Sequence, residues 1–342
     1  MTDLGAALHA LSSRCDQTLA AEQVDASIAA PCPVEQTPGL LALTRAPAAL
    51  DRLIDEHAPD VVHIHNVMNP EVLEWGARRG AVLTLQDHRA FCPGRGKWTT
   101  DRRACADTLS EEVCSACFDD ASYRDEIYSL TRERLAAALG MPITVLSAYM
   151  KRELVAAGAA PERVSIVPPF VHGLDPHADP EPGAPCVLFV GRLVEAKGVF
   201  DAVDAWRASD TDAPLVVAGT GPLRTELESR GLDVRGWVGR EDLAALYRRA
   251  AVVLMPSRWQ EPFGIVGIES LACGTPVVGY RSGGIPEWLD ERCLVEWGDV
   301  GAMARTLGRF ESLPASPRQS FDREATIAAL LDVYERAATR GS

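Results

Sequence analysis

A chain of 342 residues, 47% hydrophobic and 24% charged, has room for about two domains and enough apolar surface to give each a core, which excludes a disordered protein. Its 34 Lys and Arg against 48 Asp and Glu leave a formal charge of −14, which argues against a nucleic-acid coater or a polybasic membrane binder. No apolar run approaches the roughly 18 residues of a spanning helix, and Met1-Thr2-Asp3 opens no basic-then-apolar leader, so a cytoplasmic protein with no membrane span and no nucleic-acid partner is expected.

The first 60 residues carry little pattern. Thr2–Leu11 reads as a helix with Thr2 or Asp3 near its cap, and no strand precedes it. A doubly wound domain normally opens on a strand whose following loop helps to form the ligand crevice, so the missing strand is the main departure expected here. From residue 60 onward, short apolar runs alternate with longer amphipathic ones. Strands are predicted at Val61–His65, Ala81–Gln86, Ile143–Ser147 and Val164–Pro168, then at Cys186–Gly191, Leu215–Gly219, Val234–Val238, Val252–Pro256, Pro276–Tyr280 and Cys293–Glu296. They are apolar on both faces, as buried parallel strands are. Helices are predicted between them, among them Glu71–Arg79, Ala121–Leu139, Arg240–Ala250 and Gly264–Cys273, with a last one from Asp322 to Ala338. Regular alternation predicts an α/β fold with two doubly wound, Rossmann-like domains. The Pro/Gly-rich stretch from Pro168 to Pro185 separates them. We place the first domain at 1–172 with a Cys-rich insert at 88–118, the second at 173–321, and a C-terminal helix at 322–342 packing back on the first.

Three segments of the second half carry chemistry. In Glu261-Pro262-Phe263-Gly264-Ile265-Val266-Gly267-Ile268-Glu269, Gly264 marks a helix N-terminus, whose exposed amides and positive dipole end suit an anion. Gly191-Arg192-Leu193-Val194-Glu195-Ala196-Lys197-Gly198 follows a buried strand and sends two cations off its end, suited to a departing diphosphate. Gly219-Thr220-Gly221-Pro222 follows the next strand. It lacks the third glycine of the dinucleotide fingerprint, because Arg224 stands there, and this counts against a nicotinamide oxidoreductase. Each segment alone would also fit a solvated loop; their order is the signal. Asp210-Thr211-Asp212 resembles a metal-binding D-x-D but lies in a polar loop and reads as a solvated turn.

Together, from about Val164 to Glu287, these segments resemble glycosyltransferase family 4, retaining enzymes of the GT-B fold that use nucleotide sugars. The two glutamates separated by seven residues are Glu261 and Glu269; G-R-L-x-x-x-K-G is Gly191–Gly198; G-x-G-P is Gly219–Pro222; P-S is Pro256-Ser257. The resemblance implies an inter-domain cleft. It also implies that Arg192 and Lys197 bind the donor diphosphate as leaving group, that Glu261 holds the donor sugar, and that Glu269 holds the ribose hydroxyls. Amides at Gly264, Ile265 and Val266 would touch the distal phosphate, with Gly221 and Val238 also on the donor side and the nucleobase read by the backbone of Gly236-Trp237-Val238. No catalytic metal is implied; the cations and the helix N-terminus stabilise the leaving group electrostatically. Retention would follow from same-face attack, so no covalent nucleophile is nominated.

In the first half, Val62-His63-Ile64-His65 resembles the family's strand ending in His-x-His, with His65 the better placed to face the cleft and acceptor. The next strand ends Gln86-Asp87-His88, where relatives usually place His before the Asp; either His88 takes that role beside Asp87 or the site is altered. Cys92, Cys105, Cys114 and Cys117 have the spacing C-x12-C-x8-C-x2-C, which suits a closed four-thiolate site, most simply a structural zinc; an iron–sulfur cluster has the same ligand count, and free thiols are the alternative. Arg89, Arg95, Lys97, Arg102 and Arg103 against Asp101 give residues 88–103 a local excess of four positive charges. An acceptor bearing phosphate or carboxylate, or peripheral contact with anionic lipid, would suit that patch, and so would plain solvation. The expected function is transfer of a sugar from a nucleotide-diphosphate donor to a small-molecule or glycan acceptor; the alternative is a catalytically weak sugar-nucleotide-binding or scaffold relative.

Overall fold

Each of the predicted strands is present in a computed structural model, which describes residues 2–22, 31–37, 40, 46–101 and 103–341. The chain divides into two units. The first comprises 1–96, 106–170 and 321–342, the second 97–105 and 171–320. The insert expected wholly within the first domain is therefore split. Its residues 97–105 group with the second unit, where an antiparallel bridge between Trp98 and Ala104 closes the excursion on itself.

The first unit holds two parallel sheets. A small one pairs β1 (Leu19–Ala21) with β2 (Val34–Gln36), two strands the sequence pattern did not reveal. The main one runs β3 (His63–His65), β4 (Val82–Leu85), β5 (Ile143–Val145) and β6 (Val164–Ile166) in sequence order. Its core is built by Leu83, Leu85, Ile143 and Val145 on the strands, with Leu73, Met141, Met150 and Leu154 around them, all fully buried. The helix Pro70–Arg78 starts where its sequence says it should: Asn69 accepts from the Glu71 amide and Pro70 occupies the first turn, where its missing N–H costs nothing. The C-terminal helix Arg323–Gly341 belongs to this unit. Thr326 donates to the Pro168 carbonyl at 3.0 Å, Tyr334 reaches His63 at 2.6 Å, and Ile327 and Leu330 share a core with Leu11 and Phe170.

The second unit carries one six-stranded parallel sheet. It comprises β7 (Cys186–Val190), β8 (Leu215–Ala218), β9 (Asp233–Gly236), β10 (Ala250–Met255), β11 (Val277–Tyr280) and β12 (Leu294–Val295), in the spatial order β12-β11-β10-β7-β8-β9. Counted within the unit, this is the nucleotide-binding order 3-2-1-4-5-6. The direction of winding reverses between β7 and β10, which pair directly. In such sheets the carboxyl-end loops at the reversal diverge and leave a crevice. The two segments that leave there are Gly191–Gly198 and Pro256–Gly264, the same segments the motifs single out. β9 ends at Gly236, so Val238 stands in the turn beyond the strand rather than within it.

Candidate functional site

The loops after β7 and β10 are joined through their backbones. The Ala196 carbonyl accepts from the amides of Arg258 (2.9 Å) and Trp259 (3.1 Å). Gly198 makes this approach feasible: its φ is +68°, and a Cβ there would lie 1.8 Å from the Pro256 carbonyl oxygen. A buried ion pair braces the same junction. Asp201, 2% exposed, accepts from Arg258 Nε at 3.0 Å and from Arg258 Nη2, and Tyr280 donates to it at 3.0 Å.

This frame brings predicted site residues together. Lys197 Nζ lies 2.6 Å from Glu261 Oε1, and Ser257 Oγ donates to the same oxygen at 2.6 Å. Glu261 is buried, which by itself would push its carboxyl upward; the Lys197 charge, its hydrogen bond and that of Ser257 outweigh burial and hold the carboxyl below its ordinary value. The Trp259 ring lies beneath both cations, its centroid 4.4 Å from Lys197 Nζ and 5.8 Å from the Arg192 guanidinium carbon. Arg192 itself is exposed at the loop surface.

Glu261 leads directly into the helix Ile265–Ala272. Gly264 occupies its N-cap with φ +92°, and no side chain caps the helix, so the amides of Ile265 and Val266 stand at an open, positive helix end. Glu269 sits on this helix, 4% exposed, and both its oxygens are met from one neighbouring helix, Arg240–Arg249: Arg240 Nη2 reaches Oε1 at 2.9 Å and Tyr247 donates to Oε2 at 3.3 Å. Burial, and then the Glu269 charge, push the Tyr247 phenol well above its ordinary value, so it remains a donor. Gly221 packs against the Leu193 backbone, where a Cβ would come within 2.5 Å of the carbonyl oxygen; close loop packing is its visible role. Beside Val238, Trp237 is 80% exposed.

Three features here escape the motif reading: the Trp259 platform, the Ser257 bond to Glu261, and the Arg240–Tyr247 clamp on Glu269. The run Pro256-Ser257-Arg258-Trp259-Gln260 at a strand end was the available signal for the first two. Tyr247 stands seven residues after Arg240, two helical turns on the same face, a spacing that points to a shared target only once Glu269 is known to be it.

In the first unit, His63 and His65 stack with ring centroids 3.9 Å apart. His63 is fully engaged, with Nδ1 2.6 Å from Tyr334 Oη and Nε2 2.6 Å from Thr84 Oγ1. Among the described residues His65 Nδ1 has no hydrogen-bond partner. Both line a small cavity of about 50 Å³ with Thr84, Gln86, Thr144 and the apolar Phe170 and Leu330. Burial pushes His65 down to about 4, and burial and then the neighbouring His65 push His63 well below its ordinary value, so both rings are neutral near pH 7. His88 is turned inward, 2% exposed, with Nε2 3.1 Å from Tyr149 Oη. Asp87 is tied to Arg89 at 2.9 Å.

Among the described residues no three His, Cys, Asp or Glu side chains are placed to hold a metal ion. Cys92 and Cys117 converge on Gly94, where a Cβ would lie 4.0 and 3.6 Å from their sulfurs, and Cys114 is buried in the short helix Glu111–Ser115. The positive patch is also smaller than its letters: Arg89 pairs with Asp87, Arg103 pairs with Asp101 at 2.7 Å, and Lys97 is 4% exposed. Arg102 lies outside the described residues. Among the described residues no helix is long and apolar enough to cross a membrane.

Known proteins share both halves of this chain. Residues 1–169 match the family model described as a glycosyl transferase 4-like domain, and residues 184–311 match glycosyl transferases group 1. The D-inositol 3-phosphate glycosyltransferase of Xylanimonas cellulosilytica is 33% identical over 225 residues, 54% of each chain. The 2-deoxystreptamine N-acetyl-D-glucosaminyltransferase of Streptomyces fradiae is 28% identical over 309 residues, 81% of this chain and 68% of that one. Matches to the first curated relatives span 54%, 36% and 24% of those proteins' own lengths. Anabaena HepE in complex with UDP-glucose shares the fold with a TM-score of 0.65 at 17% identity, over 99% of this chain and 91% of that one. The chain therefore belongs to the GT-B glycosyltransferases, its first half a glycosyl transferase 4-like domain and its second a glycosyl transferases group 1 domain.

Proposed function

We propose that this protein is a retaining family 4 glycosyltransferase that moves a sugar from a nucleotide-diphosphate donor to a small-molecule or glycan acceptor. The observation that carries the reading is the convergence, at the winding reversal of the second sheet, of Lys197, Glu261 and an uncapped helix N-terminus. Cleavage of the donor leaves a diphosphate that has gained negative charge. Lys197 and Arg192 carry opposite charge, and the amides of Ile265 and Val266 add oriented donors; all are fixed before reaction, so little reorganisation is needed as charge develops. The buried Glu261 carboxylate is an acceptor for donor-sugar hydroxyls, and Glu269 for those of the ribose. His65 and Asp87 are our candidates for acceptor contacts. The reading includes a cytoplasmic setting, consistent with an odd count of nine cysteines.

UDP-glucose is the first donor to try, because a protein sharing the fold is described in complex with it. Release of the nucleoside diphosphate from a panel of UDP-, ADP- and GDP-sugars, with and without candidate polyol acceptors, tests the reading. Turnover with one donor, abolished in Lys197→Ala, is expected. Tight nucleotide binding with no transfer and no donor hydrolysis would instead identify a non-catalytic relative.

A further inference from the structure

The main sheet of the first unit has two unlike faces. Residues two apart in a strand share a face, and the register sets His65 beside Thr84, Thr84 beside Thr144, and Thr144 beside Ser165. One face therefore carries a polar row across all four strands, with His63 and, one residue beyond β4, Gln86 on the same side. The other face carries Ile64, Leu83, Leu85, Ile143 and Val145, all in the core. Buried parallel strands are ordinarily apolar on both faces, so packing alone does not account for the row. The C-terminal helix Arg323–Gly341 reaches it at two points: Tyr334 Oη lies 2.6 Å from His63 Nδ1, and Arg336 donates to Ser165 Oγ at 3.2 Å.

Most of the row is satisfied internally. His63 Nε2 lies 2.6 Å from Thr84 Oγ1, and Thr84 Oγ1 lies 2.5 Å from Thr144 Oγ1. His65 is the exception. It lines the cavity of about 50 Å³, and its buried Nδ1 has no hydrogen-bond partner among the described residues. A buried polar atom left unpaired is costly, and such an atom calls for a water or a ligand. Gln86, half-buried, brings an amide to the same cavity, while Phe170, Ile327 and Leu330 give it an apolar wall. None of the described residues that line it is Lys, Arg, Asp or Glu. An ionised group taken there would lose its hydration with no opposite charge in return. A hydroxyl both donates and accepts, so it suits His65 in either tautomer. One water needs about 10–15 Å³ of such space, so there is room for about three or four waters, or for one hydroxyl-bearing carbon in their place.

We propose that this cavity is a subsite for an uncharged, hydroxyl-bearing edge of the acceptor, the hydroxyl meeting His65 and Gln86 and the C–H face resting on Phe170 and Leu330. At this edge the acceptor is a neutral polyol. The proposal rests on the reading of His65 as an acceptor contact.

Imidazole NMR of the full chain with isotope-labelled histidines tests it, by titration with ethylene glycol, glycerol, myo-inositol and glycerol phosphate. His88, buried against Tyr149, is the reference. The His65 signals should shift saturably with at least one neutral polyol while His88 stays still, and glycerol phosphate should bind at least about tenfold more weakly than glycerol. Leu330→Phe narrows the cavity and Gln86→Leu removes the amide; each should weaken polyol binding by at least about fivefold. The second variant keeps the test decisive if the first does not fold. No saturable shift of His65 with any polyol overturns the proposal. Equal affinity for glycerol phosphate, equal movement of His88, or binding undiminished by the substitutions overturns it as well. Assay of sugar transfer to the same polyols separates the two levels. Transfer to a polyol that leaves His65 unmoved sinks the subsite alone. Polyol binding at His65 with donor turnover but no transfer to that polyol keeps the cavity as a polyol site and refutes His65 as an acceptor contact.

Discussion

Lys197 and Glu261, 64 residues apart in the chain, form an ion pair at 2.6 Å, its carboxylate buried and its ammonium largely so, that spans the winding reversal between β7 and β10. The pair satisfies Glu261 while keeping both charges at the crevice. Breaking a buried pair by removing one partner leaves the other charge uncompensated and costs about 3–5 kcal/mol, whereas removing both costs much less. Lys197→Met should therefore lower the urea midpoint sharply, and adding Glu261→Gln should recover part of the loss. Additive losses in that cycle would mean that the pair does not hold the crevice.

Gly198 and Gly274 both have left-handed backbone, with φ +68° and +79°. A Cβ at Gly198 would lie 1.8 Å from the Pro256 oxygen, whereas nothing lies within 4 Å of one at Gly274. Gly274→Ala should cost only the conformational strain of about 1–2 kcal/mol and spare donor binding. Gly198→Ala should cost more and weaken donor binding as well, because the two crevice loops must move apart. Equal effects of the two substitutions on stability and on nucleotide affinity would contradict the loop junction described here.

His63 and His65 should make the fold sensitive to acid. Burial holds His65 at about 4 against an ordinary 6.5, and burial plus the neighbouring His65 hold His63 well below its ordinary value. The unfolded chain therefore binds protons that the folded one refuses. Their contribution to stability is intact above pH 6.5 and is lost progressively as pH falls from there through about 4. His65→Asn should flatten the pH dependence of the urea midpoint across that window. An unchanged slope would show that the ring takes up its proton equally in the folded and unfolded chain.

Trp259 lies under both Lys197 and Arg192. A cation over an indole face is stabilised by about 0.5–2 kcal/mol, more when desolvated. Trp259→Leu should raise the donor KM roughly three- to thirtyfold, since each 1.4 kcal/mol is a factor of ten, and leave acceptor KM nearly unchanged. Steady-state kinetics with either substrate varied checks this, and a matching rise in acceptor KM would count against a donor-side platform.

The second sheet was legible because its strands are buried on both faces: Cys186–Val190 and Val277–Tyr280 are nearly continuous apolar runs that no surface element would carry. β1 and β2 were not, because Leu-Ala-Ala and Val-Glu-Gln are three residues each, half exposed, and too short to show a period. Arg192, Lys197, Glu261 and Gly264 could be named from motif order, since each follows a strand end at a fixed offset. Arg240 and Trp259 could not. They act through other side chains, across separations such as the 29 residues between Arg240 and Glu269, and only the folded sheet brings those partners together.

The proposed function requires the second unit to bind a nucleoside diphosphate with Lys197 at the phosphates and Glu269 at the ribose. Isothermal titration of a nucleoside diphosphate panel into the unmodified chain, Lys197→Ala and Glu269→Ala tests it most directly. One nucleotide should bind the unmodified protein, and each substitution should weaken that binding by at least about tenfold, as loss of a charge-assisted hydrogen bond should. Binding that survives both substitutions undiminished would contradict it.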